Sequence, residues 1–83
     1  MPAVRSVEAL ARRFPRRELA LYRLYGKDAD FRSLCDDWLE AAEACERWQA
    51  AGGAKASKAA EYRLLESEIE TEILQRLEQE GSQ

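Results

Sequence analysis

Apolar residues recur at helical spacing in two long stretches of the chain. In the first they step by three or four residues, the spacing of a coiled-coil seam that packs on another helix: Phe31, Leu34, Trp38, Ala41, Cys45 and Trp48. In the second, a stripe of the same kind runs through an otherwise acidic segment: Tyr62, Leu65, Ile69, Ile73 and Leu77. The pattern predicts helices over residues 29–51 and 55–79.

A glycine pair separates the two stretches. Gly52 and Gly53 follow a pair of alanines, and glycine is the residue that most readily turns the backbone after a helix. The linker, at about residues 51–56, is short, and short linkers join antiparallel neighbours. Asp28 or Asp30 is a suitable N-cap for the first of these helices. We therefore predict an antiparallel αα-hairpin.

The residues before the hairpin form a third helical segment. Ser6 is a credible N-cap, and apolar residues then recur at helical intervals up to Tyr25. Pro15 should interrupt this helix, predicted over residues 6–25, because proline lacks an amide donor and restrains the residue before it. The expected fold is all-α, with this arm and the hairpin forming a three-helix bundle or, in two copies, a dimeric bundle.

Charge divides the chain at the same boundary. Residues 1–27 carry seven cations and two carboxylates, a balance of +5, whereas residues 28–83 carry six cations and fourteen carboxylates, a balance of −8. We expect one domain overall, made of a basic N-terminal arm (1–27), an acidic hairpin (28–80) and a frayed tail (81–83). Such asymmetry indicates that the basic part takes part in an interaction.

The densest basic cluster surrounds the expected helix break and contains Arg12, Arg13, Phe14, Arg16 and Arg17. Its arginines could pair with the acidic hairpin of the same or a neighbouring chain, or contact a separate protein. Alternatively, they could bind phosphates of nucleic acid or an anionic membrane, with Phe14 stacking on a base. A pI near 5.0 makes nucleic acid and membrane unlikely partners, since the nearby carboxylates repel a polyanion.

The residues offer little for catalysis or metal binding. Cys35 and Cys45 lie on one predicted helix, separated by about 15 Å of helical rise, too far for a disulfide between them. With no histidine in the chain, neither cysteine has a histidine base and no zinc site is expected. We expect buried, reduced thiols, no catalytic residues, no cofactor and no metal. No stretch suggests a membrane span or a signal peptide, so a cytoplasmic location is expected.

One segment resembles a known family. Residues 28–38 read Asp-Ala-Asp-Phe-Arg-Ser-Leu-Cys-Asp-Asp-Trp, which resembles the opening of the small bacterial YdcH-like proteins: an acidic residue, then Phe-x-x-Leu, then two acidic residues on a helix. Residues 68–74 are similar to that family's second, isoleucine-rich helix. The resemblance covers about residues 16–78 and implies a helical hairpin, without implying a mechanism or any functional residues.

These observations favour a small non-enzymatic protein–protein interaction module that self-associates or docks on a larger partner. The large aromatic rings of Trp38 and Trp48 are expected at the interface, because such rings are enriched there. A homodimer is expected, since the core of a lone hairpin is thin. The alternative is a basic-arm binder of nucleic acid or an anionic membrane surface, with the hairpin as oligomerisation domain.

Overall fold

The computed structural model describes residues 5–81 and contains four α-helices. They are α1 (Arg5–Arg13), α2 (Glu18–Lys27), α3 (Ala29–Ala51) and α4 (Ala56–Gly81), with short 3₁₀ turns at Pro15–Arg17 and Gly53–Lys55. No strand occurs within residues 5–81, so the predicted all-α class is confirmed. Of the predicted frayed tail, Gly81 belongs to α4, and residues 82–83 lie outside the described residues.

Proline divides the predicted N-terminal helix into α1 and α2. Phe14 leaves the helical region, with φ −127° and ψ 70°, as expected for a residue that precedes proline. Pro15 then opens a 3₁₀ turn, where its missing N–H leaves no helical hydrogen bond unmade. The Arg17 amide donates to the Phe14 carbonyl at 2.9 Å, which closes this turn immediately before α2.

The junction between α2 and α3 is a single residue, Asp28. Its amide donates to the Leu24 carbonyl at 3.0 Å, and its Oδ1 accepts from the Phe31 amide at 3.1 Å. Asp28 therefore ends one helix and caps the next, which confirms one of the two predicted caps.

The predicted N-cap of the first helix is wrong. Arg5 is already helical, so Ser6 lies inside the first turn of α1. The Ser6 side chain is buried, and its hydroxyl donates to Asp36 Oδ1 on α3 at 2.7 Å. Packing of α1 on α3 thus gives the hydroxyl a tertiary partner in place of a backbone amide of its own helix.

The predicted turn between the long helices falls on the two glycines. Gly52 and Gly53 have φ angles of 66° and 60°, a backbone conformation that residues with a Cβ rarely adopt. Beyond the turn α4 packs along α3. Trp38 contacts Glu70 and Cys45 contacts Ala59, so residue numbers rise along α3 as they fall along α4.

The core lies at the end of α3 and α4 that is distant from the glycine turn, where α1 and α2 pack on them. Its buried side chains come from all four helices: Val7, Leu10, Ala11, Leu21, Leu24, Phe31, Cys35, Trp38, Ile73 and Leu77. Towards the turn, the buried residues of α3 and α4 are small: Ala41, Ala44, Cys45 and Ala59. The predicted stripe on α4 is therefore buried at one end only.

Candidate interaction surfaces

The basic arm meets the acidic helices of its own chain through three ion pairs. Arg5 pairs with Glu43 on α3, Lys27 pairs with Glu80 on α4, and Arg13 Nε lies 3.3 Å from Glu70 Oε2. This agrees with the interpretation that the basic arm pairs with the acidic part of the protein. All three cations are more than half exposed, so each pair contributes about 0.2–1 kcal/mol by itself.

The five residues of the basic cluster have different contacts in the fold. Phe14 is half-buried against the core, and the Arg13 guanidinium lies 5.7 Å from its ring centre. Arg13 is thus held by both Glu70 and Phe14. Arg12, Arg16 and Arg17 are exposed and form none of the ion pairs of the arm.

Glu70 connects three helices at one oxygen. Its Oε2 accepts from Trp38 Nε1 at 3.0 Å and also pairs with Arg13. One turn away on α4, burial and the carboxylates of Glu70 and Glu46 raise the pKa of Glu66 above its usual 4.5, although Arg13 and Arg63 oppose this. This cluster joins α1, α3 and α4 beside the core.

The two tryptophans predicted at an interface have different environments. Trp38 is 5% exposed and belongs to the core, so in this fold its ring is not presented to an external partner. Trp48 is half-buried near the glycine turn, and the ammonium groups of Lys55 and Lys58 each lie 5.6 Å from its ring. Cation–π contacts of this kind anchor the turn to α3.

A groove lies between α3 and α4. It has a volume of about 290 Å³ and is lined by Asp37, Glu40, Ala41, Ala44, Arg47, Tyr62, Leu65 and Ile69. No residue of the arm within 5–27 lines this groove, although Glu40 also borders a neighbouring cavity that Arg5 and Ser6 line. We call this groove and its rim the open face.

Leu65 is the most exposed aliphatic side chain of the open face, at 43%, and Leu64 beside it is 63% exposed. At 3.6 residues per turn, Leu64 lies about 100° further round α4, and it does not line the groove. Sequence reasoning placed Leu65 in the hairpin seam and missed its exposure. The available signal was the Leu64–Leu65 pair, since two adjacent residues of a helix cannot both face the same neighbour.

The cysteines are buried and free, as predicted from their spacing. Burial, with a smaller effect of the Asp36 carboxylate, raises the pKa of the Cys35 thiol to about 12. The Cys45 thiol donates to the Ala59 carbonyl at 3.4 Å. At neutral pH Cys35 is thus protonated and a poor nucleophile.

Two further findings concern the described residues only. Within residues 5–81, no three side chains of His, Cys, Asp or Glu are grouped so that they could hold a metal ion. None of the four helices is both long enough and apolar enough to cross a bilayer.

No family model matches this sequence, and comparisons with curated proteins and with solved structures found no match either.

Proposed function

We propose that this protein is a non-enzymatic interaction module that associates through its open face, either with itself or with a larger protein. In this proposal α3 and α4 form an antiparallel hairpin, and the arm α1–α2 braces one side of it. A hairpin of this kind is also what the resemblance to the YdcH-like proteins implies.

The observation that carries the proposal is the one-sided coverage of α3 and α4. The arm covers the end of these helices that holds the core, whereas the open face has apolar side chains and no covering helix within residues 5–81. Leu65 is 43% exposed there, and Tyr62 and Ile69 are half-buried. Fully burying one such side chain contributes about 1.5–3 kcal/mol. A partner that completes the burial of these three side chains gains part of that free energy on binding.

The groove also has a shape that suits a helical or extended partner. Ala41 and Ala44 form its floor, and small residues let a neighbouring backbone or a large side chain approach α3 closely. Asp37, Glu40 and Arg47 lie at its edges, which gives an apolar centre with a charged rim. This arrangement is typical of protein interfaces.

The two adjacent leucines provide a matched test. Leu65→Lys places a charge on the open face, and Leu64→Lys places the same charge outside the groove. Both sites tolerate a cation in the folded chain, because the neighbouring residues of α4 are largely acidic. Self-association is measured by sedimentation velocity, and capture of host proteins is measured quantitatively with each variant as bait.

We expect Leu65→Lys to weaken both association and capture at least tenfold, and Leu64→Lys to behave as wild type. Equal behaviour of the two variants would contradict the assignment of the surface. A wild-type chain that neither self-associates nor captures a protein reproducibly would contradict the function itself.

A second candidate function follows from three exposed arginines of the arm. Arg12, Arg16 and Arg17 are exposed beside the half-buried Phe14, an arrangement that suits phosphate contacts. The test is to measure binding of short DNA, heparin and anionic vesicles over a range of salt concentrations. A variant with all three arginines changed to Gln is the control. Binding near physiological salt that the control loses would favour this function, and no binding there would remove it.

A further inference from the structure

The arm exposes two large apolar side chains on α2. Leu19 is 79% exposed and Tyr22, one turn further along, is 41% exposed. The buried side chains of the same helix, Leu21 and Leu24, belong to the core. From the pitch of an α-helix, Leu19 lies about 140–160° round α2 from both of them. The side of α2 that carries Leu19 therefore points away from α3 and α4 of its own chain.

Arginines flank Leu19 on this side of the arm. Arg23 follows it by one turn of α2, and Arg16 precedes it in the 3₁₀ turn. Both are exposed, and neither belongs to the ion pairs that hold the arm on its own chain. The one carboxylate of α2, Glu18, lines the cleft between α1 and α2. We call the exposed surface of Arg16, Leu19, Tyr22 and Arg23 the arm face, which has an apolar centre and a positive charge.

The open face has carboxylates on both of its helices. Two of them line the groove on α3, and three lie on α4 at one or two turns from Leu65, on the same side of the helix. These five exposed residues are Asp37, Glu40, Glu61, Glu68 and Glu72. Glu61 and Glu68 are neighbours of Leu65 at positions i−4 and i+3. The apolar centre of the open face therefore has an acidic border.

Cations are fewer on this face. Arg47 lines the groove on the side of the glycine turn, and Lys58 lies two turns before Leu65 on α4. The other cations of α4 lie on other surfaces, since Arg63 lines the cavity next to α1 and Arg76 lines the cleft next to α2. With five carboxylates and two cations, the open face is acidic.

The arm face and the open face are complementary in charge, and each has an apolar centre that no helix within residues 5–81 covers. They cannot meet within one chain, because Leu21 and Leu24 hold α2 against the core by its opposite side. Their sizes also agree. The groove runs along α4 from Tyr62 to Ile69, about 10 Å of helix, and α2 is about 15 Å long. The alanines on the floor of the groove leave room for a leucine side chain.

We infer that the arm face of a second copy of this chain docks on the open face. Leu19 of one copy enters the groove beside Leu65 of the other, and Arg16 and Arg23 lie towards the acidic border. The inference rests on the proposed function and deepens it, because it names the partner and the segment that binds. The contact joins two different surfaces, so each chain takes part through both its arm face and its open face.

The first test is the effect of Leu19→Glu on self-association, measured by sedimentation velocity of the full chain over a range of concentrations. This variant places a charge of the same sign as the open face at the centre of the arm face, so it should weaken association at least tenfold. Leu64→Glu makes the same change at an exposed leucine outside both faces and should behave as wild type. Added salt should weaken association of the wild-type chain. Circular dichroism checks that every variant is folded.

A mixture of two variants tests which faces meet. Leu19→Glu has an altered arm face and a wild-type open face, whereas Leu65→Lys has the reverse. Each should be monomeric alone at a concentration where the wild-type chain associates. Mixed in equal amounts, they should form a complex of one copy of each, because the unchanged arm face of one variant docks on the unchanged open face of the other. A fluorescent label on one variant detects this complex in the sedimentation measurement.

Three outcomes would overturn the inference. If Leu19→Glu associates as wild type while Leu65→Lys does not, the open face binds another surface, and the proposed function stands without this partner. A mixture of folded variants that stays monomeric also excludes the contact. A wild-type monomer overturns the inference as well, and the proposed function then stands only if capture of a larger protein is lost in Leu65→Lys and kept in Leu64→Lys.

Discussion

Removal of the Glu70 carboxylate should destabilise the protein, because this group joins three helices beside the core. Glu70 Oε2 accepts from Trp38 Nε1 at 3.0 Å and pairs with Arg13 Nε at 3.3 Å, so one oxygen joins three helices. The Glu70 side chain is only 14% exposed, and Trp38 is nearly buried. We compare the stability of two variants, Glu70→Ala and Glu70→Gln.

The two substitutions separate the hydrogen bond from the ion pair. Glu70→Ala leaves the indole N–H of Trp38 without an acceptor, which costs about 1–3 kcal/mol. It also removes the ion pair with Arg13, which is 59% exposed and so contributes about 0.2–1 kcal/mol. Relief of the repulsion between Glu70 and Glu66 offsets a little of this loss. We expect a net loss of about 2 kcal/mol in the free energy of unfolding, or a fall in Tm of about 8–16 °C for a chain of this size.

Glu70→Gln retains an oxygen acceptor for Trp38 and loses only the charge. It should cost about 0.5 kcal/mol through loss of the ion pair. Arg13→Gln should cost about 1 kcal/mol, because it removes the same ion pair and also the contact with the Phe14 ring. Urea unfolding followed by circular dichroism and tryptophan fluorescence, at one fixed protein concentration, measures all three variants. High salt should shrink the effect of Arg13→Gln and leave most of the effect of Glu70→Ala.

A stabilising role for the Trp38 hydrogen bond is refuted if Glu70→Ala and Glu70→Gln are equally stable, since that bond would then contribute nothing. It is also refuted if Arg13→Gln costs as much as Glu70→Ala. In that case the ion pair, and not the indole hydrogen bond, would be the main interaction of the cluster.

Three further predictions follow from the structure. The raised pKa of Glu66 means that its carboxyl group keeps a proton to higher pH in the folded state than in the unfolded state, so its contribution to stability falls as pH rises above 4.5. Glu66→Gln should therefore be more stable than wild type at pH 7, and urea titrations should show that this advantage vanishes below pH 4.5. Gly52→Ala should lower the free energy of unfolding by about 1–3 kcal/mol, because Gly52 has φ 66° and ψ −171°. Gly26→Ala, at an exposed helical position of α2, should raise it by about 0.5–1 kcal/mol, and thermal melts of the two variants measure the difference. The Cys35 thiol, with its pKa near 12 and full burial, should react with a thiol reagent only in urea, and rapid labelling of the native chain would contradict its placement.

Local chemistry accounts for what the sequence determined by itself. The helical spacing of apolar residues, the proline after Phe14, the Asp28 side chain and the glycine pair each act within a few residues of chain. The four helices accordingly begin and end close to the predicted positions, and the all-α class follows from them. The free state of the two cysteines also followed from their ten-residue separation on one helix.

Which side of each helix becomes buried was decided only by tertiary packing. Helical spacing identifies an apolar stripe, but it does not state which neighbouring helix covers each part of that stripe. The arm packs on the core end of α3 and α4, so Trp38 is buried and Leu65 is left on the open face. The same packing gave Ser6 a partner on α3 in place of the predicted capping role.

The arginines of the arm also have environments that helical spacing could not predict. Arg12 and Arg13 are adjacent and chemically identical, yet only Arg13 reaches Glu70, because the direction of α1 relative to α4 selects one face of the helix. That direction depends on the combined fit of side chains that are far apart in the sequence. Local pattern therefore determined where the helices lie along the chain, and long-range packing decided which surface they leave open.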